Sequence, residues 1–386
     1  MENAKYDIII SGGGFAGLSL LYRAMKDGVW TDKTVLVVDI SLKQHNDKTW
    51  SFWKKEDSVF DAVIFKQWTE LSFFTIGGRK LVLDPGEYTY NSIRSIDFYT
   101  YVLEYLRPLP NISFVQEEIV DWHTSGNECT LITTEHEYRS TYLFNSIYKK
   151  PVPEPDIQYF LQHFKGWRIK TSSWLPPVDE AYLMDFRTTQ EHGTSFFYTL
   201  PLSASEIFVE YTIFSKEVLS TEEYEFAIKI YLDEVLRIKD YVILEEEYGV
   251  IPMTDHPFKR FEGNIVHIGT AGGDTRASTG YTFTNTQKTI GNILGTFKLN
   301  GTPFFNKEAV SLKHRLYDSA MLNVLDSGEY DGFFLFGDLF SRCPAPYIFA
   351  FLDAETSVFQ DIYIMKSLMV APFLKAFSAA VYRRVF

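Results

Sequence analysis

Two periodicities divide the chain. Tyr6 to Gly17 reads YDIIISGGGFAG, where Ile8-Ile9-Ile10 is an apolar β-branched run suited to a buried parallel strand. Leu18 to Met25 follows with a helical pattern, and Thr34 to Val38 is a second apolar run ending in Asp39. The stretch SLKQHNDKTWSFW (41–53) starts too polar for a core strand, so Trp50, Phe52 and Trp53 are expected in a loop folded back as a lid. Residues 62–90 alternate short apolar runs with Gly77-Gly78 and Pro85-Gly86, which predicts hairpins. A helix is predicted over 92–106, with Ile93, Ile96, Tyr99 and Leu103 on one face. Strands are predicted at 112–120, 129–133 and 141–145.

Three prolines between Pro151 and Pro155 mark a crossing into a different pattern. From there to Met253 the chain is mostly strand-like, at 167–172, 181–186, 194–200, 206–214 and 245–253. One helix interrupts it at 221–235, with Thr221 as N-cap and Glu222-Glu223 in its first turn. Asn264 to Gly269 is again a buried strand ending in glycine, followed by a helix through Ile293, and the remainder is largely helical. The organisation expected is a discontinuous α/β unit (1–150 and 255–300), a β-rich unit (151–254) and a helical region (301–386), without internal repeats.

Composition narrows the function classes. A 386-residue chain with 46% hydrophobic and 23% charged residues is globular and long enough for more than one core. Its net charge of −13 argues against nucleic acid as partner. The aromatic share of 17%, with 33 Phe and 24 Tyr, fits either a ring-rich core or a tunnel for a long apolar ligand. Cys129 and Cys343 carry no metal or redox spacing, and no His or carboxylate cage suggests a metal. The first strand begins almost at once and no apolar run is as long as a membrane span, so an intracellular chain, soluble or bound to a membrane surface, is expected.

The candidate chemistry begins at the glycines. Gly12, Gly14 and Gly17 have the G-x-G-x-x-G spacing, between strand and helix, that lets backbone N–H groups approach a pyrophosphate. Asp39 ends the next strand, where an acid holds the ribose hydroxyl of a dinucleotide. Strand, turn, helix, second strand and acid together predict a dinucleotide site.

A second strand–glycine–helix unit, IGTAGGDTRASTGYTF (268–283), resembles the segment with which hydroxylase-like flavoproteins complete an FAD site. That resemblance implies cofactor contacts from Gly269, Thr270 and Gly280, and from Arg94 near the pyrophosphate; an exposed helix arginine is the alternative for Arg94. Thr270 stands where that superfamily usually has Asp, and Ala277 where it usually has Pro. The blocks TWSFW (49–53), LMDFR (183–187), FYTLP (197–201), FVEYT (208–212), EYGVIPM (247–253) and STGYTF (278–283) are, in this order, similar to the lycopene cyclases of carotenoid-making bacteria and plants. The resemblance implies FAD, reduced by NADPH, and a redox-neutral cyclisation of the ψ-ends of lycopene or related linear carotenoids to β-rings, through γ-carotene to β-carotene. It also implies attachment to the cytoplasmic face of a membrane, for which the stretch Ile362 to Phe386, with Lys366, Lys375, Arg383 and Arg384, is a candidate amphipathic element; an ordinary helix packed on the core is the alternative.

Such a reaction needs a carboxyl group kept protonated in a dry pocket, and surroundings that favour a carbocation. Glu210 in FVEYT is the candidate acid/base; a strand glutamate pointing to solvent is the alternative. The family motif usually carries two acids in succession, and here the second is Tyr211. Asp185, which could equally pair with Arg187, and Glu247, which could belong to a solvated run with Glu245 and Glu246, complete the candidate set. A monooxygenase, an isoprenoid reductase or a non-catalytic flavin- and carotenoid-binding protein are the alternative functions on this fold.

Overall fold

The computed structural model describes residues 5–155 and 157–385, with side chains through Tyr382. The run Ile8-Ile9-Ile10 forms the centre of a strand, Lys5–Ser11, and is almost fully buried. It pairs in parallel with Val35–Asp39 on one side and Glu137–Asn145 on the other. Ile112–Gln116 extends the first edge and Ile265–His267 the second, so the chain does return to its first sheet after residue 260. One face is covered by helices Phe15–Lys26, Ser95–Leu106 and Phe283–Asn300, which share a core through Leu21, Val102 and Ile293. An antiparallel meander of Ile119–Ser125 and Glu128–Thr133 leads into Glu137–Asn145, and Leu131 packs with Ile9, Leu36 and Val38 on the other face.

A second sheet has seven strands, in the order Tyr241–Thr254, Tyr159–Thr171, Glu206–Ser215, Thr194–Pro201, Glu180–Asp185, Glu70–Phe74, Lys80–Leu83. It is antiparallel except where Glu180–Asp185 runs parallel to Glu70–Phe74. The hairpin at 70–83 thus crosses the boundary expected at residue 150, because buried Leu71 and Phe73 need the cover of the larger sheet. The sheet's outer face carries the helix Thr221–Ile230, continued by a π-helical turn, Tyr231–Val235. Ser220, not Thr221, caps that helix: its extended backbone lets the hydroxyl accept from the Glu223 N–H while Glu223 answers to the Ser220 N–H.

Two further expectations change. Trp50, Phe52 and Trp53 belong to a strand, Thr49–Lys54, paired with Thr89–Arg94 in a three-stranded sheet. Cross-strand partners and ring stacking, Phe52 on Phe283 (3.9 Å) and Trp53 on Phe349 (3.8 Å), outweigh the polar residues that precede them. Residues 92–94 close that sheet as strand, and the helix begins at Ser95. After residue 301, helices Leu312–Ser327, Gly332–Arg342, Ala345–Leu352, Val358–Ser367 and Val370–Val385 follow, and most of their apolar residues pack against the inner face of the seven-stranded sheet.

The tightest joint is between the first strand and the first helix. A Cβ on Gly17 would run into the Gly12 carbonyl and lie 2.8 Å from Ile10 Cγ2. Gly17→Ala is therefore expected to destabilise the protein by about 2 kcal/mol, as overpacked cores do. The shift of the urea unfolding midpoint measures it.

Candidate active site

Gly12 has φ +95°, and a Cβ there would collide with the Ser146 hydroxyl, so the turn is restricted to glycine. Gly14 differs: nothing lies within 4 Å of where its Cβ would be, and it opens the helix Phe15–Lys26 with no side-chain cap. The first N–H groups of that helix therefore face an open cradle with the positive end of its dipole. Asp39 ends its strand as expected, but its carboxylate accepts from the Gly13 N–H (2.7 Å) and the Ser41 N–H (2.7 Å) and pairs with Lys43 (3.0 Å). Its visible work is to hold the glycine turn.

The second glycine unit is pinned by a residue the sequence reading left without a role. Asp274, wholly buried, accepts from the Gly269 N–H (2.7 Å), Arg260 (2.7 Å) and Thr289 (2.6 Å). Asp274 lies within the segment 268–283 singled out by resemblance, whereas Arg260 arrives from the preceding strand connection and had no local signal. Thr270 joins Thr275 and Thr282 in a chain of hydroxyls at 3.0 and 2.9 Å. Gly280, at φ +71°, packs its bare Cα against Gln162 of the large sheet. In the first turn of the helix Phe283–Asn300, Asn285 Oδ1 and Thr286 Oγ1 are buried without partners among the described residues. An open helix N-terminus at one end and orphaned polar atoms at the other fit an elongated, phosphate-bearing dinucleotide. Arg94 is bound to Asp97 through two hydrogen bonds (2.6 and 2.8 Å) and lies on the Phe65 ring at 4.1 Å. It lines a small cavity with Glu247 and Arg168.

The carboxylates are placed by strand register. Tyr198 lies opposite Glu210, Glu210 opposite Gly166, and Gly166 opposite Glu247, a single row across four strands. Paired residues point to the same side, so both glutamates stand on the inner face, on either side of a residue without a side chain. Two inter-strand spacings separate their backbones by roughly 10 Å. Among the described residues, the side-chain hydrogen bond of Glu210 is one it accepts from the Thr212 hydroxyl (Oγ1 to Oε1, 2.7 Å). Removal from water, reinforced by the negative charge of Glu247, pushes its carboxyl up to about 8; Thr212 and Lys48 oppose the shift. Glu247 is also raised by burial, while the Thr49 N–H (2.8 Å) and Lys48 favour its ionised form. Tyr90 and Tyr198 feel the charge on Glu210, and burial raises both these phenols and that of Tyr281.

Tyr198 and Tyr281 also line a cavity of about 320 Å³ whose other walls are nearly all apolar, among them Leu183, Phe336 and Phe340. At its far end Met365, Val370 and Leu374 line the cavity and are also exposed at the surface. Tyr198 thus links the two: it stands opposite Glu210 in the sheet and lines the apolar cavity, in whose wall Glu210 itself does not stand.

The lycopene cyclase protein family profile matches residues 7–378. The chain belongs to the lycopene cyclase family. No curated protein matches the sequence. Among solved structures, a flavoprotein/dehydrogenase from Cytophaga hutchinsonii superposes with a TM-score of 0.64 at 14% identity, over 99% of this chain and 100% of the other. A geranylgeranyl bacteriochlorophyll reductase-like protein from Thermoplasma acidophilum gives 0.57 at 10%, over 99% and 96%. The flavin-dependent monooxygenase PieE, in complex with FAD and substrate, gives 0.58 at 14%, over 99% and 72%. At these identities the likeness is one of fold, and the fold is the hydroxylase-like flavoprotein fold expected of the sequence.

Within this lycopene cyclase chain, Asp185 does not join the two glutamates. It pairs with Phe197 across the sheet, whose ring stacks on Tyr231 at 3.9 Å, and so faces the outer side. There its wholly buried carboxylate receives Arg187 (Nε 2.9 Å, Nη2 2.5 Å) and the Tyr231 hydroxyl (2.6 Å). A β-bulge between Tyr182 and Asp185, with Met184 at φ +55°, turns it outward. Tyr211 likewise faces the outer side, one residue out of phase with Glu210. Asp185→Asn is expected to cost roughly 2–3 kcal/mol in stability, because Arg187 loses its counter-charge in a site only partly open to water. Urea unfolding checks this, and turnover per folded molecule should be unchanged.

Proposed function

We propose that the chain is a lycopene β-cyclase: Glu210 protonates the terminal double bond of a linear ψ-end, and a proton is then lost to leave a β-ring. The observation that carries the reading is Glu210 itself, a carboxyl group raised to about 8 by burial and standing opposite Tyr198, whose side chain lines an apolar cavity. Lycopene and related linear carotenoids, closed at one end to γ-carotene and at both to β-carotene, are the proposed substrates and products.

In FAD, the proposed cofactor, the pyrophosphate would be held by Gly12, Gly14 and Gly17, the ribose by Asp39, and the remainder by Gly269, Thr270 and Gly280. Reduced FAD, with NADPH as proposed reductant, would supply negative charge near a carbocation without entering the redox balance. Arg94, committed to Asp97, is assigned no more than a supporting part at the cofactor.

The residues of the chain then divide the work. Glu210 gives its proton to the inner carbon of the terminal double bond, leaving a tertiary cation on the carbon that bears two methyl groups. The next double bond attacks that carbon, which closes the six-membered ring and moves the charge to the methyl-bearing ring carbon. The aromatic faces of Tyr90, Tyr198 and Tyr281 favour that cation and exclude water that would capture it. Glu210, now a carboxylate, takes the proton that leaves, which restores the acid and balances the reaction without oxidant or reductant. Burial keeps the proton on Glu210 at neutral pH, and Glu247 adds to it through its negative charge.

An apolar polyene implies a lipid source. Around the outer end of the cavity, Phe359 (87% exposed), Ile362, Tyr363, Met369 and Leu374 (62%) present an apolar face to solvent. Lys366 and Lys375 lie on the same helices, while the side chains of Arg383 and Arg384 are outside the described residues. No helix among the described residues is long and apolar enough to cross a membrane. Peripheral attachment through this face is the proposed arrangement.

Glu210→Gln should abolish ring formation while retaining flavin, as judged by pigment chromatography and the bound-flavin spectrum; undiminished cyclisation would remove Glu210 from its role. Because the protonated form is the donor, activity should fall above about pH 8. Glu247→Gln removes a neighbouring negative charge, lowers the Glu210 pKa and should move that falling limb to lower pH. Flotation with phospholipid vesicles should carry the protein, and Phe359→Glu with Leu374→Glu should weaken it without altering flavin content.

A further inference from the structure

The slot between the two glutamates is not empty. Gly166 stands between Glu210 and Glu247 in the row, and an aromatic edge occupies the place of its missing side chain. Three ring carbons of Phe208 crowd that position: Cζ in contact, Cε2 at 2.9 Å and Cε1 at 3.3 Å from where a Cβ would be. Phe208 is two residues before Glu210 on the same strand and the same face, and its partner across the sheet is Arg168. Its other side borders the small cavity with Glu247, Arg94 and Arg168. That cavity, about 30 Å³, has room for about two waters, and Glu210 is not in its wall.

We infer that Phe208, seated in the slot left by Gly166, is the barrier that separates the Glu210 carboxyl from the water and charge around Glu247. The inference rests on the cyclase reading for its chemical consequence, but the barrier itself is a matter of geometry. Phe208 is a positioning residue, acting through Glu210. On the dry side Glu210 faces Thr212, Tyr90 and Tyr198, with Lys48 and Glu247 acting at longer range. On the other side stand Arg94, Arg168, Glu245, Glu246 and Glu247, the arginines being held by Asp97, Glu206 and Glu245. Opening the slot would hydrate Glu210 and bring it within reach of two guanidinium groups. Hydration favours the carboxylate, while the guanidinium groups, already paired with carboxylates, leave the sign of that change to water, so the acid would be lost at lower pH. The same opening would admit water to the cation: its oxygen bonds to the cationic carbon, a proton is released, and the product is an alcohol heavier than the substrate by one water.

Phe208→Ala empties the slot from one side, and Gly166→Ala expels the ring from the other. The inference predicts that both variants keep flavin, that the falling limb of the pH profile moves down by about one unit (a tenfold change in protonated fraction at the limb), and that alcohols labelled from oxygen-18 water accompany the ring products. The carboxyl stretching band of Glu210, assigned by its loss in Glu210→Gln, should titrate about one unit lower in Phe208→Ala. Phe208→Leu, which still fills the slot, should restore most of the wild-type profile. Reduced yield with an unmoved titration and no labelled alcohol would overturn the inference. If the wild type forms no ring while the carboxyl titration still moves, the barrier stands and the cyclase reading fails.

Discussion

The arrangement depends on one carboxyl group being denied water. Glu210 sits on a strand whose opposite face, Val209, Tyr211 and Ile213, is packed beneath a helix, so its own face is turned inward by strand alternation alone. Once there, it accepts from the Thr212 hydroxyl, has the Tyr90 and Tyr198 phenols close by, and faces a second glutamate two strands away. A glutamate so placed holds its proton at neutral pH, which is what an acid directed at an unactivated double bond requires. Nothing in the two glycine turns would create that property; it belongs to the sheet.

The interleaving of the chain follows from this need for enclosure. The inner face of the seven-stranded sheet is roofed by pieces from three stretches of sequence. Thr49 donates its N–H to Glu247, Gly280 packs on Gln162, and helices after residue 330 cover Phe196 and Leu183. Phe52 on Phe283 and Trp53 on Phe349 clamp these pieces to each other. A cofactor held between the two glycine units would therefore lie against the face that carries Glu210. The apolar channel reaches the same face from the side of the C-terminal helices.

Much of this was legible beforehand, and the exceptions have physical causes. The parallel strands, the two glycine turns and the mostly antiparallel sheet announced themselves through β-branched runs, glycine spacing and alternation. The strand at Thr49–Lys54 did not, because its strand character comes from cross-strand partners forty residues away that no local window contains. The Ser220 cap was missed by one residue, a margin that depends on a single ψ angle. Asp185 and Glu210 look alike as acids within strands; a bulge and a left-handed Met184 send one outward, and neither can be read from composition. The pairing of Glu210 with Glu247 through Gly166 needs the register of three strands, and Arg260 with Asp274 needs the tertiary fold.

Deuterium tests the central claim most directly. With the protein equilibrated in heavy water and supplied with reduced flavin, lycopene should yield rings that each retain one non-exchangeable deuteron, and the product made in ordinary water should have the mass of the substrate. Glu210→Gln should yield neither ring nor label. Rings formed without deuterium, or products gaining two hydrogens or an oxygen from dioxygen, would contradict proton transfer from a buried carboxyl as the event that drives closure.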